Sequence, residues 1–373
     1  MFDYLITGAG FAGCVLAERI ATQLDKRVLI VEKRNHIGGN AYDYYDENGI
    51  LIHKYGPHIF HTNARRLWDY IGNFTRWEMY QHNVAASIEG KEIPLPFNLN
   101  SISKLFPQRF AEKLEDLLIG QYGYGAKIPI LTLQNQTSGD LKFLADFIYK
   151  NVFYGYTAKQ WGVEPDQIDA SVTARVPVFV SRDNRYFQDE WQGIPSGGYT
   201  RMFERMINHR NIQILLNADY RSVLELIPFN KIIYTGPIDA YFDYMHGELP
   251  YRSLRFELET AEAEYVLPCG TVNYPNDYAL TRRTEFKRLT GQKHAKTTIA
   301  AEYPEPYRRG ENEPYYPIPQ PKNAELYRKY ELEAEKIAGS THFVGRLANY
   351  RYYNMDQVIA KALTVFEKDI CGK

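Results

Sequence analysis

The sequence predicts an α/β protein in which a parallel, helix-covered sheet is accompanied by a helical module and an antiparallel sheet. Three observations carry this. Residues 3–10 (DYLITGAG) form an apolar run ending in glycines; Val15, Leu16, Ala17, Ile20 and Leu24 then recur at helical spacing, and RVLIVEKR is a second apolar run ending at Glu32. Residues 101–150 are mainly helical in period. From 251 to about 303, runs such as YRSLRFELE, YVLPCGTVNY and KTTIAAEY alternate as half-buried antiparallel strands do.

The first element is a strand–turn–helix–strand–acid unit. GAGFAG sets Gly8, Gly10 and Gly13 at the spacing of a dinucleotide-binding turn. Gly8 permits the tight turn, Gly10 lets a pyrophosphate approach the backbone, and Gly13 lets helix and strand pack closely. The helix start at Phe11 and Ala12 offers N–H groups and a positive dipole end to phosphate. Glu32, followed by Lys33, is placed to bind ribose hydroxyls. This is a Rossmann-like unit. Residues 34–41 (RNHIGGNA) add a second glycine pair, Gly38 and Gly39, which resembles flavoproteins with two dinucleotide-binding segments. FAD is therefore preferred over NAD.

Residues 55–62 (YGPHIFHT) carry His58 and His61, with Gly56 and Pro57 arguing against a helix. His53 lies nearby, but neither cysteines nor a carboxylate set accompanies the histidines, so no metal site is expected. A loop beside the flavin ring fits His58 and His61 better. Residues 63–80 are expected to be one helix capped by Asn63. IEGKEIPLPF reads as a hairpin around Glu89–Gly90, and the helical module of 101–150 reads as an insertion into the nucleotide domain. FYGYTAKQW (153–161) holds Phe153, Tyr154, Tyr156 and Trp161; it is either an aromatic platform for a planar ring or ordinary packing.

Arg175 precedes Val176–Pro177, and YALTRRTEF contains Arg282 and Arg283. Guanidinium forks of this kind suit a diphosphate, or they are solvated surface residues. GIPSGGYTRMFERMIN reads as a glycine loop entering a helix; NIQILL and KIIYTGP then return to the nucleotide domain. EPYYPIP is a proline-framed loop presenting Tyr315 and Tyr316. THFVGR is a strand ending at Gly345, and NMDQVIAKALTVFEK is a helix with Asn354 and Gln357 at capping-box spacing; this ending resembles that of many flavoproteins, in which the last helix directs its positive N-terminus at the flavin. The expected domains are a discontinuous FAD-binding domain (1–80, 193–245, 338–373), a helical module (98–151) and an antiparallel-sheet substrate domain (81–97, 152–192, 246–337).

Composition sets the limits. A chain of 373 residues exceeds the usual size of a single core, so more than one domain is expected. Its 45% apolar and 24% charged content excludes a disordered chain, a collagen-like chain and a coiled-coil rod. A net charge of −1 gives no field for a polyanion, so nucleic acid is not an expected partner. Cys14, Cys269 and Cys371 are too scattered for a disulfide framework or zinc, which fits a reducing, cytoplasmic setting. The run Tyr4–Ala17 is too short to span a bilayer and Asp3 precedes it, so neither a targeting nor a membrane segment is expected. Tyrosine is abundant, at 31 residues, and suits stacking on bases and sugars.

Taken together, GAGFAG, EKRNHIGGNAYD, YGPHIFHT, GYTAKQWG, ARVPV, NRYF, GIPSGGYT, YTGPIDAYF, LTRRTEF, YYPIP and FVGRLANYRYYNMD resemble the bacterial UDP-galactopyranose mutase family, in order, from residue 1 to about 363. The resemblance implies interconversion of UDP-galactopyranose and UDP-galactofuranose on reduced FAD, through a covalent flavin N5–sugar adduct and without net redox change. It further implies a cytoplasmic homodimer supplying galactofuranose for cell-surface glycans.

By the same resemblance, Gly8, Gly10, Phe11, Ala12, Gly13, Glu32, Lys33, Gly39, Asn40, His58, Ile59, Gly345, Arg346, Met355 and Asp356 hold FAD. Phe153, Tyr156, Thr157 and Trp161 line the uridine pocket. Arg175, on a mobile loop, and Arg282 meet the diphosphate. Tyr186, Tyr316 and Tyr352 donate hydroxyls to the phosphates. Asn83, Asn273 and Asn354 are lesser contacts, and His58 and His61 lie near flavin and sugar. Asn354 and Val152 depart from the family pattern, acidic and aromatic respectively, which bears on sugar or base preference. A related mutase acting on UDP-N-acetylgalactosamine or dTDP-fucose, and an amine-oxidase-like flavin oxidoreductase, are the alternatives.

Overall fold

The computed structural model describes residues 1–135, 139–167 and 176–372. The chain divides into two compact units: Met1–Met79 with Asp189–Tyr251 and Arg309–Lys373, and Tyr80–Gln188 with Arg252–Arg308.

The first unit is built on a five-stranded parallel sheet with spatial order Ile212–Leu215, Val28–Val31, Phe2–Thr7, Phe229–Tyr234, Thr341–Phe343. Leu5 stands opposite both Leu29 and Ile232. The central strands are buried on both faces, as parallel strands flanked by helices must be. The helix Phe11–Gln23 buries Val15, Leu16, Ala17 and Ile20 completely, and the last helix, Met355–Val365, contributes Ile359 and Ala362 to the same core. Phe2, Leu5, Leu29, Val31, Val223 and Ile232 form a second cluster.

A small antiparallel sheet in this unit joins Phe60–Thr62, Trp191–Pro195 and Trp77–Met79. Here the expected single helix over 63–80 is corrected. The helix runs only over Arg65–Gly72, and Trp77–Met79 is a strand. Asn73 ends the helix, its side-chain amide donating to the Asp69 and Tyr70 carbonyls. Trp77 pairs with Pro195 and stacks on Trp68 with ring centroids 4.1 Å apart. That long-range packing outweighs helical period. The N-cap is Ala64 rather than Asn63; the Asn63 side chain binds Asp189 and the Glu190 amide instead.

The second unit holds a mixed sheet with spatial order Tyr251–Ala261, Thr297–Pro306, Arg282–Glu285, Thr271–Asn273, Val84–Ile88, Lys91–Leu95. Neighbours are antiparallel except Thr271–Asn273 and Val84–Ile88, which run parallel. The Glu89–Gly90 hairpin forms as read: both residues have positive φ, 51° and 76°, as a type I′ turn requires. The helices Leu99–Leu105, Gln108–Tyr122 and Gly139–Ile148 share one core with this sheet, in which Ile102, Leu114, Leu144 and Ile148 meet Ala86, Ile88 and Ile93. The helical segment therefore packs on this sheet, whose one parallel pair departs from the expected antiparallel pattern, and not, as expected, within the nucleotide-binding unit. Residues 309–337, expected in the sheet domain, group with the first unit. Tyr330, on the helix Pro321–Lys336, is fully buried there and donates its hydroxyl to the Gly247 carbonyl.

Candidate functional site

In the first unit, two glycine segments close on each other. The amide of Gly38 donates to the Ala9 carbonyl, and a Cβ on Gly39 would lie 2.9 Å from the Cα of Gly10. A Cβ on Gly13 would run into the Gly8 carbonyl oxygen, so only glycine lets the helix sit this close to the turn. The result is a backbone cradle at a helix N-terminus, as a dinucleotide pyrophosphate needs. Glu32 is buried; its oxygens accept from the amides of Ala9 and Arg34, each at 2.9 Å. A carboxylate has about four lone-pair positions, so it keeps capacity for ribose hydroxyls. Gly345 reaches the same place, since its Cβ would lie 3.4 Å from that of Ala12. The Phe11 ring is instead core, tilted against Phe203 at 4.7 Å.

Other predicted cofactor residues already have partners. Asn40 accepts from Arg34, and Lys33 pairs with Glu313. Asp356 accepts from the Thr62 hydroxyl. Ile59 is buried, and Met355 packs against the core. Asp43, which the sequence reading passed over, ties the glycine pair to the Gly198 loop. Its carboxylate accepts from the amides of Tyr199 (2.5 Å) and Thr200 (2.8 Å), capping the helix Tyr199–Ile207 from a distant segment. Burial pushes its carboxyl upward, and those amides oppose the shift.

The histidines separate. His61 lies between the buried Phe60 and Thr62, and its Nδ1 meets Asp189 at 2.7 Å. The Nδ1 of His58 donates to the Gly56 carbonyl at 2.8 Å. His53 Nδ1 accepts from the His58 amide, and burial pushes His53 down to about 4. Near the chain end, Arg346 donates to the carbonyls of Tyr315 and Tyr353 and lies over the rings of Tyr316 and Tyr352, at 5.2 and 5.5 Å. Tyr315 is buried rather than presented, whereas Tyr316 is half-buried. The Asn354 amide donates to Gln357 in the capping box read from the sequence.

In the second unit, FYGYTAKQW is helical: Tyr149–Tyr154 forms a π-helical turn and Gly155–Trp161 an α-helix. Gly155 allows close approach, since a Cβ there would lie 2.8 Å from Asn276 Oδ1. Phe153, Thr157 and Trp161 are buried, Phe153 in the main core of the unit; Tyr156 is half-buried. Arg252 donates to the carbonyls of Lys159 and Gln160 and so fixes the C-terminus of this helix.

Arg282 sits in the sheet interior between Asn273 and Glu302 on the flanking strands. Its Nε and Nη2 both reach Glu302 Oε2, at 2.8 and 2.7 Å, and Glu302 is only 2% exposed. Glu302 was not singled out from the sequence. The available signal was an acid at an inward position of KTTIAAEY, which demands a cation. Arg283 pairs with Glu259. Tyr186 packs at the edge of the core and against His82, and the Asn83 side chain donates to the Gln81 carbonyl. Arg175 lies outside the described residues.

The Rossmann-type glycine cradle of the first unit defines a dinucleotide-binding protein. The comparisons with known proteins agree. The Rossmann-like NAD(P)-binding domain family matches residues 6–74, and the UDP-galactopyranose mutase family matches 151–352. A probable UDP-galactopyranose mutase of Klebsiella pneumoniae is 38% identical, over 97% of this chain and 93% of that protein. A dTDP-fucopyranose mutase of Escherichia coli is 36% identical over 97% of each. A crystal structure of reduced UDP-galactopyranose mutase superposes with a TM-score of 0.73, covering 97% of this chain and 92% of that one at 17% identity; a putrescine oxidase reaches 0.57 at 14%. The chain belongs to the UDP-galactopyranose mutase family and is an isomerase.

Proposed function

We propose that the protein interconverts UDP-galactopyranose and UDP-galactofuranose with reduced FAD bound in the glycine cradle. The observation that carries the substrate class is Arg282 on Glu302. A guanidinium fixed in a sheet interior by two bonds to a buried carboxylate is preorganised, and a leaving diphosphate gains most from donors that need not reorganise.

Gly8, Gly10, Gly13 and Gly39 receive the pyrophosphate with the amides of Phe11 and Ala12, and Glu32 receives the ribose hydroxyls. Lys33, Asn40, Ile59, Gly345, Arg346, Met355 and Asp356 complete the cofactor surroundings. Reduced flavin supplies an electron-rich nucleophile for the anomeric carbon. As the C1–O bond breaks, negative charge grows on the diphosphate, and Arg282 stabilises it. Arg175 is assigned the same task. Tyr186, Tyr316 and Tyr352 donate hydroxyls to phosphate oxygens. Phe153, Tyr156, Thr157 and Trp161 receive the uridine, with Tyr156 as the stacking ring. Asn83, Asn273 and Asn354 contribute lesser contacts. His58, held by the Gly56 carbonyl, and His61, oriented by Asp189, are assigned to the surroundings of flavin and sugar. The reading carries with it a cytoplasmic homodimer.

A second reading, a dTDP-fucopyranose mutase, is favoured by the comparable identity of the Escherichia coli relative. One experiment decides. The purified protein is reduced with dithionite, given UDP-galactopyranose or dTDP-fucopyranose, and the products are separated by chromatography. A furanose product from the UDP sugar supports the proposal; product from the dTDP sugar alone selects the second reading. No product from any UDP or dTDP sugar, together with oxygen consumption on an amine, replaces both with an oxidase.

A further inference from the structure

The segment that carries Tyr316 is tied to the cofactor-binding strand by charge. Glu313 Oε2 accepts from Lys33 Nζ and from Arg34 Nη2, each at 2.9 Å. These two cations directly follow Glu32, the acid assigned to the cofactor ribose. Arg34 is largely buried, with only 14% of its side chain exposed. Its Nη1 holds Asn40 beside the second glycine pair, and its guanidinium lies 4.3 Å from the centre of the Tyr55 ring. Tyr55 in turn meets Tyr315 at 6.3 Å. Burial would raise the Glu313 carboxyl, but Arg34 and Lys33 outweigh it and hold the group below the usual carboxylate range. At the far end, the Tyr315 carbonyl accepts from Arg346, whose guanidinium lies over Tyr316 and Tyr352. One guanidinium thus anchors each end of a short run, Glu313–Tyr316, whose two tyrosines are framed by Pro314 and Pro317.

We propose that Glu313 is a positioning residue: through Lys33 and Arg34 it sets the Tyr315–Tyr316 segment against the ribose end of the cofactor cradle, so that the substrate-facing tyrosine is placed by the same strand end that holds the cofactor. The inference rests on the assignment of Tyr316 to the substrate phosphates. In this assignment Glu313 acts only through Lys33 and Arg34. Its effect belongs in substrate affinity, because a mispositioned hydroxyl weakens binding of an already charged diphosphate more than it alters the reacting centre.

The test uses the full chain with bound flavin and compares Glu313→Gln, Arg34→Gln and the double variant. In Glu313→Gln, KM for UDP-galactopyranose rises about tenfold, kcat stays within about twofold and flavin content is unchanged. On the Arg34→Gln background the same change adds little, because the partner is already gone. Hydrogen exchange of the amides of 309–316 rises in Glu313→Gln while that of residues 1–31 does not. Should Glu313→Gln fail to fold, Glu313→Asp keeps the charge but shortens its reach to the two cations, and is expected to shift KM and exchange in the same sense, by less. Unchanged exchange in 309–316 overturns the clamp. Raised exchange with unchanged KM overturns its positioning role, and loss of flavin in parallel with activity makes Glu313 a cofactor-site residue instead. If the wild-type protein turns over no UDP sugar, the proposed function falls, and the exchange measurement alone decides the clamp.

Discussion

The dinucleotide cradle of the first unit is made of backbone, whereas the anion site proposed for the second is made of side chains. In the cradle the decisive atoms are amides and missing Cβ atoms at Gly8, Gly13 and Gly39. In the sheet of the second unit the decisive atoms are a guanidinium and the buried carboxylate that aims it. The first design tolerates almost no substitution but needs no partner residue. The second depends on a pair brought together by strand register, Arg282 opposite Glu302. A backbone site is therefore expected to fail by losing its ligand, and a side-chain site by losing rate.

The most severe test of that contrast is Gly13→Ala. The new methyl would meet the Gly8 carbonyl oxygen, which cannot move without opening the turn. The purified variant is expected to retain less than about a tenth of the flavin of the wild type by absorbance, with a lower melting temperature. Full flavin occupancy would show that the turn has slack the geometry does not provide.

Arg282→Ala is next. Loss of one preorganised donor costs about 10²–10³ in rate, and flavin content is expected to stay normal. Glu302→Gln sharpens the comparison. It keeps the arginine but removes the charge that orients it, so its loss of kcat is expected to be smaller than that of Arg282→Ala, again with flavin retained. Equal turnover in wild type and Arg282→Ala would take this residue out of the mechanism.

A pH experiment probes the first unit alone. His53 is buried and its pKa falls from 6.5 to about 4, because burial penalises the charged ring. Between those values the unfolded chain binds a proton that the folded chain refuses. Stability should therefore decline as pH drops from about 6.5 towards about 4, by on the order of 3 kcal/mol for this group. His53→Asn keeps an acceptor for the His58 amide and removes the titration. Its denaturation midpoint is expected to fall less steeply over that range, and an identical slope in both proteins would assign the acid sensitivity elsewhere.

The smallest effect separates two readings of Asn354. As a helix cap it is worth about 1 kcal/mol, so Asn354→Ala should lower the melting temperature slightly, and as the lesser substrate contact proposed above it should also raise KM. A thermal shift with unchanged KM would leave it a cap alone.

The cradle was legible because glycine spacing, helical period and the terminal acid are local signals, and Gly8 to Glu32 fold as a contiguous unit. The capping box at Asn354 and the hairpin at Glu89–Gly90 were legible for the same reason. The helix expected over 63–80 was not, because Trp77 is claimed by Pro195 and Trp68, partners remote in sequence or reached only after the chain turns at Asn73. Phe11 sits within the motif, yet its ring serves the core. Tyr315 and Tyr316 are indistinguishable in EPYYPIP, but one is buried beneath Tyr55 and the other is not. Asp43, Asp189 and Glu302 were passed over because single acids look like surface residues until the partner is known.

Spacing along the chain was enough for a nucleotide-binding strand–turn–helix unit, a helical segment, an alternating sheet and a family resemblance. Only the tertiary structure decided that Glu302 holds Arg282, that Asp43 caps a helix more than a hundred residues away, that the helical segment shares the core of the antiparallel sheet, and that Glu313 answers Lys33 and Arg34. Those decisions depend on register and burial, which bring together charges whose separation in sequence carries no information about their distance in space.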